Sequence, residues 1–310
     1  MKVKDKEVTI VSAYFDIGRG NYNQEFVRGN NKYIGYFKFW ARIKNNLIVY
    51  TQKEFVDEIY EIRDSFGLKN KTKVIVIDDI YTLLPEIYEK MKVVEGDNQY
   101  FKNYRYLKET PENKADYCYI MLLKTWCMHD AVKNGYVKTD IMAWLDFGFN
   151  HGGSVFTSEK DFDFLWKYPF SEKVYLSMIK EDVGKPIFAI VQNSEVYVQG
   201  SPFIVPVSKC FEFYDLIIKA MESLLDIGFM DDDQTLLLMA YRSKKELFNV
   251  SINDWLLFLK NYGAKHLHVR ENSDSSVSLK DKLLYKYRVW KRNNNYLKGI
   301  KKIFLKDYLD

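Results

Sequence analysis

The chain has 310 residues, of which 47% are hydrophobic and 28% are charged, an ordinary globular composition. Its three cysteines lack CxxC spacing, no run approaches the ~18 apolar residues of a membrane span, and no signal-peptide pattern opens the chain, so we expect a reduced, cytoplasmic protein. The net charge of +4 is uneven: residues 280–306 hold ten Lys or Arg against one Asp, a local +9 that leaves −5 elsewhere.

The first part of the chain alternates predicted strands with a predicted helix. Strands are expected at residues 8–15, 46–51 and 73–79, and a helix at residues 54–66 ends before Gly67. The order strand, helix, strand is typical of βαβ units, in which the strands are parallel.

The rest of the chain adds a strand that ends at Asp146 and several further elements. We predict helices at residues 110–134, 208–228, 231–241 and 252–262, and strands at residues 186–191 and 196–199. The predicted fold class is therefore α/β, with a mixed, mainly parallel central sheet flanked by helices. One domain would span residues 1–270, and a basic helical tail would span residues 271–310.

The segment after residue 140 combines an apolar strand with a polar loop. Asp146 follows the apolar run, and the loop after it is rich in Gly, Asn and His. A carboxylate at the carboxyl end of a central strand points into the crevice where α/β proteins bind ligands. Such an Asp can hold a divalent cation, and the cation a diphosphate, as a sugar-nucleotide transferase requires. A simple loop cap is the alternative.

The loop after the first strand carries a second group of candidates, Tyr14, Asp16 and Arg19. In nucleotide-binding α/β folds this loop contacts the base and ribose, an Asp accepts from ribose hydroxyls, and an Arg pairs with phosphate. We predict that these residues bind a nucleotide sugar, although GxGxxG and GxxxxGK[ST] motifs are missing. A surface salt bridge between Asp16 and Arg19 is the alternative.

Two further groups are unusual for their positions. Lys124 lies within an apolar helix, where it needs a partner or a cavity, so we assign it to the nucleotide-sugar site, with snorkelling to the surface as the alternative. Asp231, Asp232 and Asp233 begin a helix with Asp231 as the expected N-cap. We predict that Asp232 or Asp233 is a catalytic base, with capping alone as the alternative.

The segment near residue 265 supplies the last candidates. Lys265, His266 and His268 follow a glycine, and histidine is a common metal ligand. His266 or His268 would join Asp146 in binding Mn²⁺ or Mg²⁺ on the diphosphate, with Lys265 beside the leaving group. His151 is the other candidate, and a structural role is the alternative for each histidine.

The basic tail mixes Lys and Arg with aromatic residues. This pattern is typical of helices that lie on anionic membranes, with nucleic-acid binding and a solvated helix as alternatives. The acidic remainder and the lack of an RRM or helix-turn-helix signature weigh against a nucleic-acid partner. We therefore expect a peripheral position at the inner face of the membrane.

Four segments together resemble the HtrL/YibB-type family of bacterial proteins: VSAYFDIGRG (11–20), FWA (39–41), KTW (124–126) and WLDFGFNHGG (144–153). The resemblance spans roughly residues 8–270. Members are associated with surface-polysaccharide gene clusters, and the family looks like a GT-A glycosyltransferase group. The resemblance implies a GT-A-like fold, in which a DxD motif and often a later His bind a metal. Asp146-Phe-Gly148 has only one carboxylate.

These observations predict a glycosyltransferase that moves a sugar from a nucleotide-diphosphate sugar to a lipopolysaccharide, capsule or other lipid-linked glycan acceptor. If the reaction inverts configuration, Asp232 or Asp233 would be the base. A non-catalytic nucleotide-sugar-binding or regulatory protein is the alternative.

Overall fold

The computed structural model describes residues 4–21, 29–97, 110–254 and 257–270. In these ranges the strands are β1 (Lys6–Tyr14), β2 (Leu47–Thr51), β3 (Thr72–Val76), β4 (Ile141–Trp144), β5 (Lys167–Tyr168), β6 (Val174–Met178), β7 (Phe203–Pro206) and β8 (Phe248–Ile252). The α-helices are α1 (Asn30–Trp40), α2 (Val56–Asp64), α3 (Pro85–Gly96), α4 (Ala115–Lys133), α5 (Ile187–Asn193), α6 (Cys210–Leu225), α7 (Asp233–Ser243) and α8 (Phe258–Asn261).

The strands form one sheet in the order β3-β2-β1-β4-β7-β6-β8, and β5 pairs with β1. Strand β1 is parallel to β2 and β4, β2 is parallel to β3, and β6 is parallel to β8. Strand β7 runs antiparallel to both of its neighbours, and β5 runs antiparallel to β1. The predicted fold class, a mixed and mainly parallel sheet flanked by helices, is confirmed.

Each face of the sheet packs against its own layer of helices. Strand residues alternate between the faces, so Ile10 of β1 belongs to the core beneath α1, α2 and α8, whereas Val11 belongs to the core beneath α3, α4, α6 and α7. Both residues are fully buried. A strand that is buried on both faces reads as a continuous apolar run, which is why residues 8–15 identify β1 in the sequence.

The register of the central strands brings two loops to the same edge of the sheet. Val11 of β1 pairs with Trp144 of β4, and the two strands are parallel. Tyr14 therefore ends β1 at the edge where Asp146 follows β4. This edge is the usual ligand-binding side of an open α/β sheet.

Two predicted elements are wrong. Residues 186–191 were expected to form a strand, but they enter helix α5, with Pro186 as its N-cap residue. A short apolar run does not separate a strand from a helix by periodicity, and Phe188 is 55% exposed. The expected strand at 196–199 makes only an isolated bridge, from Val198 to Met178.

The predicted helix at residues 252–262 is also mostly incorrect. Ile252 ends β8, which pairs with β6, and the helix covers only Phe258–Asn261. The proposed boundary and the basic tail lie outside the described residues. Within the described part of the chain, no helix has the combination of length and apolar character that crossing a membrane requires.

Candidate active site

A cavity of about 270 Å³ opens at the carboxyl edge of β1 and β4. Its walls come from the loops after these strands, one face of α4, the residues before β7 and the first turn of α7. Its polar and aromatic lining includes Tyr14, Asp16, Arg19, Tyr33, Tyr117, Lys124, Trp144, Asp146, Phe147, His151, Ser201, Asp232 and Asp233. Seven of the ten residues predicted from the sequence therefore line one cavity, and Lys265, His266 and His268 do not.

The ammonium group of Lys124 joins two carboxylates in this cavity. Its Nζ lies 2.8 Å from Oδ1 of Asp146 and 2.8 Å from Oδ2 of Asp233, and it donates to the carbonyl of Gly200 at 3.2 Å. An ammonium has three N–H donors, so these acceptors use all of them. Lys124 is only 4% exposed, which means that it does not snorkel to the surface.

Burial and charge together set the protonation of this group. Burial alone would lower the pKa of Lys124, but the charges of Asp146 and Asp233 outweigh it and raise that pKa, so the ammonium stays charged. Burial raises the pKa of Asp233 to about 6, against the opposing attraction of Lys124. A carboxylate with this pKa accepts a proton more readily than an ordinary Asp does.

Asp146 is oriented by neighbours on both sides. Trp144 donates from Nε1 to its Oδ1 at 2.6 Å, and the backbone N–H of Asp146 donates to Oγ of Ser201 at 2.9 Å. Since Lys124 also bonds Oδ1, that oxygen already accepts from two donors. The Asp146 side chain keeps 39% of its surface exposed, so its other oxygen, Oδ2, is the one that a ligand can reach.

The three consecutive aspartates have three different contacts. Asp232 is the N-cap of α7, because its side chain accepts from the backbone N–H of Gln234 at 3.0 Å. Asp231, the expected cap, instead accepts from the hydroxyl of Thr235 at 2.8 Å. Asp233 faces Lys124. Asp232, and not Asp231, therefore caps the helix, while Asp231 and Asp233 have other partners.

The loop after β1 is held by hydrogen bonds to α1. Oδ1 of Asp16 accepts from the backbone of Gly18 at 2.8 Å, and its Oδ2 accepts from the amide of Asn30 at 2.9 Å. The hydroxyl of Tyr14 donates to the same amide group at 2.7 Å. Its ring is stacked on Phe147, with centroids 4.9 Å apart. These contacts connect the loops after β1 and β4.

Arg19 is positioned by two tyrosines. Its Nη1 donates to the hydroxyl of Tyr33 at 2.8 Å, and its guanidinium carbon lies 5.2 Å from the centre of the Tyr117 ring. This cation–π geometry holds the planar guanidinium against an aromatic face. A guanidinium held in one orientation is suited to the paired oxygens of a phosphate.

The conformation of the loop after Asp146 explains its composition. Asn150 and His151 have φ angles of 59° and 43°, and Gly152 and Gly153 also have positive φ. Asn tolerates this region better than most residues, and glycine adopts it without strain. Oδ1 of Asn150 also accepts from the backbone N–H groups of Val155 and Phe156. The motif thus builds a tight loop, which places His151 at the cavity.

The two later histidines lie at a different group. Nε2 of His266 lies 2.9 Å from the carbonyl oxygen of Asp161, and Nδ1 of His268 lies 2.7 Å from an Asp161 carboxylate oxygen. Lys265 and both histidines are exposed. The structure therefore does not bring these residues together with Asp146, and their predicted roles as metal and diphosphate ligands gain no support from it.

The residues around Asp146 do not form a suitable ligand set for a resident Mn²⁺ or Mg²⁺. The position between Asp146 and Asp233 is taken by the ammonium of Lys124. Hard divalent cations need six or more oxygen ligands, including waters, and would face this positive charge directly. Among the described residues, no group of three or more His, Cys, Asp or Glu side chains is arranged to hold a metal ion.

Sequence reasoning missed four residues that shape the site: Tyr33, Tyr117, Gly200 and Ser201. Tyr33 belongs to α1, which was not predicted, although its buried residues Ile34, Phe37 and Trp40 recur at helical spacing. Gly200 and Ser201 precede β7, a strand that was also not predicted. For these two residues the available signal was the Gly-Ser-Pro sequence at residues 200–202, which indicates a turn but not a functional site.

Fold and site define an α/β protein with a charged ligand crevice at the carboxyl edge of its sheet. The chain belongs to the HtrL_YibB family, described as "Bacterial protein of unknown function", whose family model matches residues 6–264. It is also 28% identical to Protein HtrL of Escherichia coli (strain K12) over 256 residues, which cover 78% of this chain and 87% of that protein. The family resemblance seen in the sequence is confirmed.

Solved structures provide more distant likenesses. Mouse xyloside xylosyltransferase 1 in its apo form has a TM-score of 0.42 at 12% identity, covering 79% of this chain and 84% of the mouse chain. The PaToxG glycosyltransferase has a TM-score of 0.33 at 10% identity, covering 77% and 70%. The 4-diphosphocytidyl-2C-methyl-D-erythritol synthase of Anaerococcus prevotii DSM 20548 has a TM-score of 0.33 at 11% identity, covering 80% and 88%. At these scores the likenesses carry no functional argument.

Proposed function

We propose that this protein is a glycosyltransferase that uses a nucleotide-diphosphate sugar. The observation that supports the proposal best is the composition of the cavity at the carboxyl edge of β1 and β4. It contains aromatic side chains and Arg19 together with the group formed by Lys124, Asp146 and Asp233. Such a cavity offers an aromatic surface for a nucleobase, a cation for phosphate and a carboxylate that can accept a proton.

The nucleotide part of the donor would lie along the loop after β1. Tyr33 and Tyr117 line the cavity and are partly exposed, and aromatic faces of this kind stack on nucleobases. Arg19, already held by Tyr33 and Tyr117, would pair with the diphosphate. Asp16 would accept from a ribose hydroxyl, at the cost of rearranging its present bond to Asn30.

The sugar would lie between Arg19 and the Lys124 group. Oδ2 of Asp146 would accept from a sugar hydroxyl and fix the ring, since Oδ1 is already occupied. Asp233 would take the proton of the acceptor hydroxyl while the oxygen of that hydroxyl attacks the anomeric carbon. The bond from that carbon to the diphosphate breaks in the same step, and Arg19 stabilises the charge on the departing nucleoside diphosphate.

The acceptor class follows from the family association with surface polysaccharides: a lipopolysaccharide, a capsule or another lipid-linked glycan. Two features of the chain support an amphipathic acceptor. The segment between β6 and β7, which contributes Gly200 to the cavity, also exposes Val183 (76%) and Phe188 (55%) to solvent. The tail over residues 271–310 is strongly basic and would hold the protein at an anionic membrane.

A panel of nucleotide-diphosphate sugars tests the proposal. We expect one donor to raise the thermal midpoint and to release its nucleoside diphosphate in the presence of a glycan acceptor. Asp146→Asn should keep the fold but reduce this release by about 100-fold or more, because an oriented polar group at the reacting centre is typically worth that factor. The surface variant Asp163→Asn, which loses only a pair with exposed Lys44, should behave as wild type.

Two results would count against the proposal. If no nucleotide sugar binds, the cavity serves another ligand class. If a donor binds but the wild type never releases its nucleoside diphosphate with any acceptor, the protein is the non-catalytic nucleotide-sugar-binding regulator that the sequence left open.

A further inference from the structure

We infer that the ammonium of Lys124 replaces the divalent cation at this site, so that the protein binds its donor without a resident Mn²⁺ or Mg²⁺. The inference rests on the proposed function only for the nature of the donor. Its structural basis is the position of Nζ, which contacts Asp146, Asp233 and Gly200 at once.

The three contacted atoms form an oxygen-donor set of the kind that binds a cation. Two are carboxylate oxygens, from Asp146 and Asp233, and the third is the carbonyl oxygen of Gly200. Two carboxylates that share a buried site repel each other unless a positive charge lies between them. Lys124 supplies that charge from within the protein, so a cation already lies between the two carboxylates before any ligand binds.

The helix that carries Lys124 keeps the ammonium in place. Leu122, Leu123 and Cys127 on the same helix are buried, and Lys124 itself is 4% exposed. Moving the side chain out would leave two carboxylates, one of them buried, without their cation, which is strongly unfavourable. A divalent ion therefore has to compete with a covalently attached cation whose local concentration is fixed by the fold.

A consequence concerns the leaving group. With Lys124 saturated by protein acceptors, the positive charge for the diphosphate has to come from another residue. Arg19 lines the same cavity and is held in orientation by Tyr33 and Tyr117. In this arrangement Lys124 is a positioning residue for Asp146 and Asp233, and Arg19 is the group that contacts phosphate.

Direct measurement of Mn²⁺ binding to the full chain tests the inference without any donor. Electron paramagnetic resonance and calorimetry should find no saturable Mn²⁺ site in the wild type. Lys124→Ala should gain one site per chain, because it uncovers both carboxylates and leaves space for an ion with its waters. Lys124→Met should not gain it, since its side chain, one atom shorter than that of lysine, still leaves an apolar methyl group in the space that a hydrated ion needs. Adding Asp146→Asn to Lys124→Ala should remove the gained site.

The outcomes are separable from those of the donor screen, because the metal titration needs no nucleotide sugar. One Mn²⁺ per wild-type chain that Asp146→Asn removes would overturn the inference, as would a folded Lys124→Ala that gains no site. If Lys124→Ala does not fold, the test rests on Mn²⁺ binding to the wild type. A site that Asp146→Asn removes overturns the inference, and the absence of a saturable site supports it. A protein that binds no nucleotide sugar loses the proposed function but not this result.

Discussion

Gly200 and Asp233 approach each other so closely that no side chain fits at position 200. A Cβ added to Gly200 would lie 2.3 Å from Oδ2 of Asp233 and 2.9 Å from its Cγ. The same glycine provides the carbonyl that accepts from Lys124. The glycine therefore permits the close packing of backbone, carboxylate and ammonium on which the candidate site depends.

The first prediction follows from this contact. Gly200→Ala should displace the Asp233 carboxylate, lower the free energy of unfolding by about 1–3 kcal/mol, as overpacked sites do, and strongly reduce turnover. Denaturant unfolding and donor turnover measure the two effects. Gly35→Ala is the matched control, since nothing lies within 4 Å of its Cβ and it falls within α1, where Ala should be neutral or stabilising. Normal turnover in Gly200→Ala would show that the position of Asp233 is not critical.

The second prediction separates Asp233 from its neighbour Asp232. Asp233→Asn should lower kcat by ~10²–10⁴-fold, the typical contribution of a general base, while its amide oxygen can still accept from Lys124. Asp232→Ala should instead lose an N-cap, at about 1 kcal/mol of stability, with little change in kcat. Steady-state kinetics and thermal melts distinguish the two. A larger loss of kcat in Asp232→Ala would transfer the role of base to that residue.

The third prediction concerns pH. Asp233 must be ionised to act as a base, and its pKa is about 6, so kcat/KM should fall as the pH drops through 6. Stability should change in the opposite sense. Because the folded-state pKa lies above the ordinary 3.8, the folded protein favours the protonated carboxyl, and this contribution to stability is lost as the pH rises from about 3.8 to 6.

The matched experiment compares wild type with Asp233→Asn across this pH range. The difference in thermal midpoint between the two should shift in favour of the variant as the pH rises from 4 to 7, since the variant cannot ionise there. A difference that stays constant with pH would mean that Asp233 has an ordinary pKa in the folded protein.

The fourth prediction tests Arg19 as the phosphate ligand. Arg19→Ala should weaken nucleoside-diphosphate binding by ~10–100-fold, since hydrogen bonds to charged groups contribute about 1.5–3 kcal/mol. Tyr33→Phe, which removes only the hydroxyl that Arg19 contacts, should weaken it less. Calorimetric titration with the diphosphate of the identified donor measures both. Lys44→Ala, which breaks an exposed pair with Asp163, is the control for a lost surface charge.

The fifth prediction comes from the sequence of the tail. A chain ending at about Ser278 should bind anionic vesicles more weakly than the full chain, because the deleted residues include the local +9 and each basic residue at such a surface contributes about 1 kcal/mol. Co-sedimentation at low and high salt tests this expectation. The truncated chain should keep its affinity for the nucleotide sugar, and equal sedimentation of both forms would exclude the membrane role.

The sequence by itself determined the class of fold and the charged residues that line the cavity. Apolar runs bounded by turns identify β1, β2 and β4, because strands buried on both faces must be continuously apolar. The position of Asp146 directly after such a run also placed it at the ligand edge. Likewise, the apolar surroundings of Lys124 required a partner or a cavity, and both were found.

Only the tertiary structure decided which charges meet. Lys124 and Asp233 are 109 residues apart, and they meet because α4 and α7 pack on the same face of the sheet. His268 was expected beside Asp146 but contacts Asp161, 107 residues away. Sequence periodicity predicts which side of an element is buried, but it does not identify the element that packs against that side. Pairing of distant side chains depends on strand order, and that order is set by the packing of the whole chain.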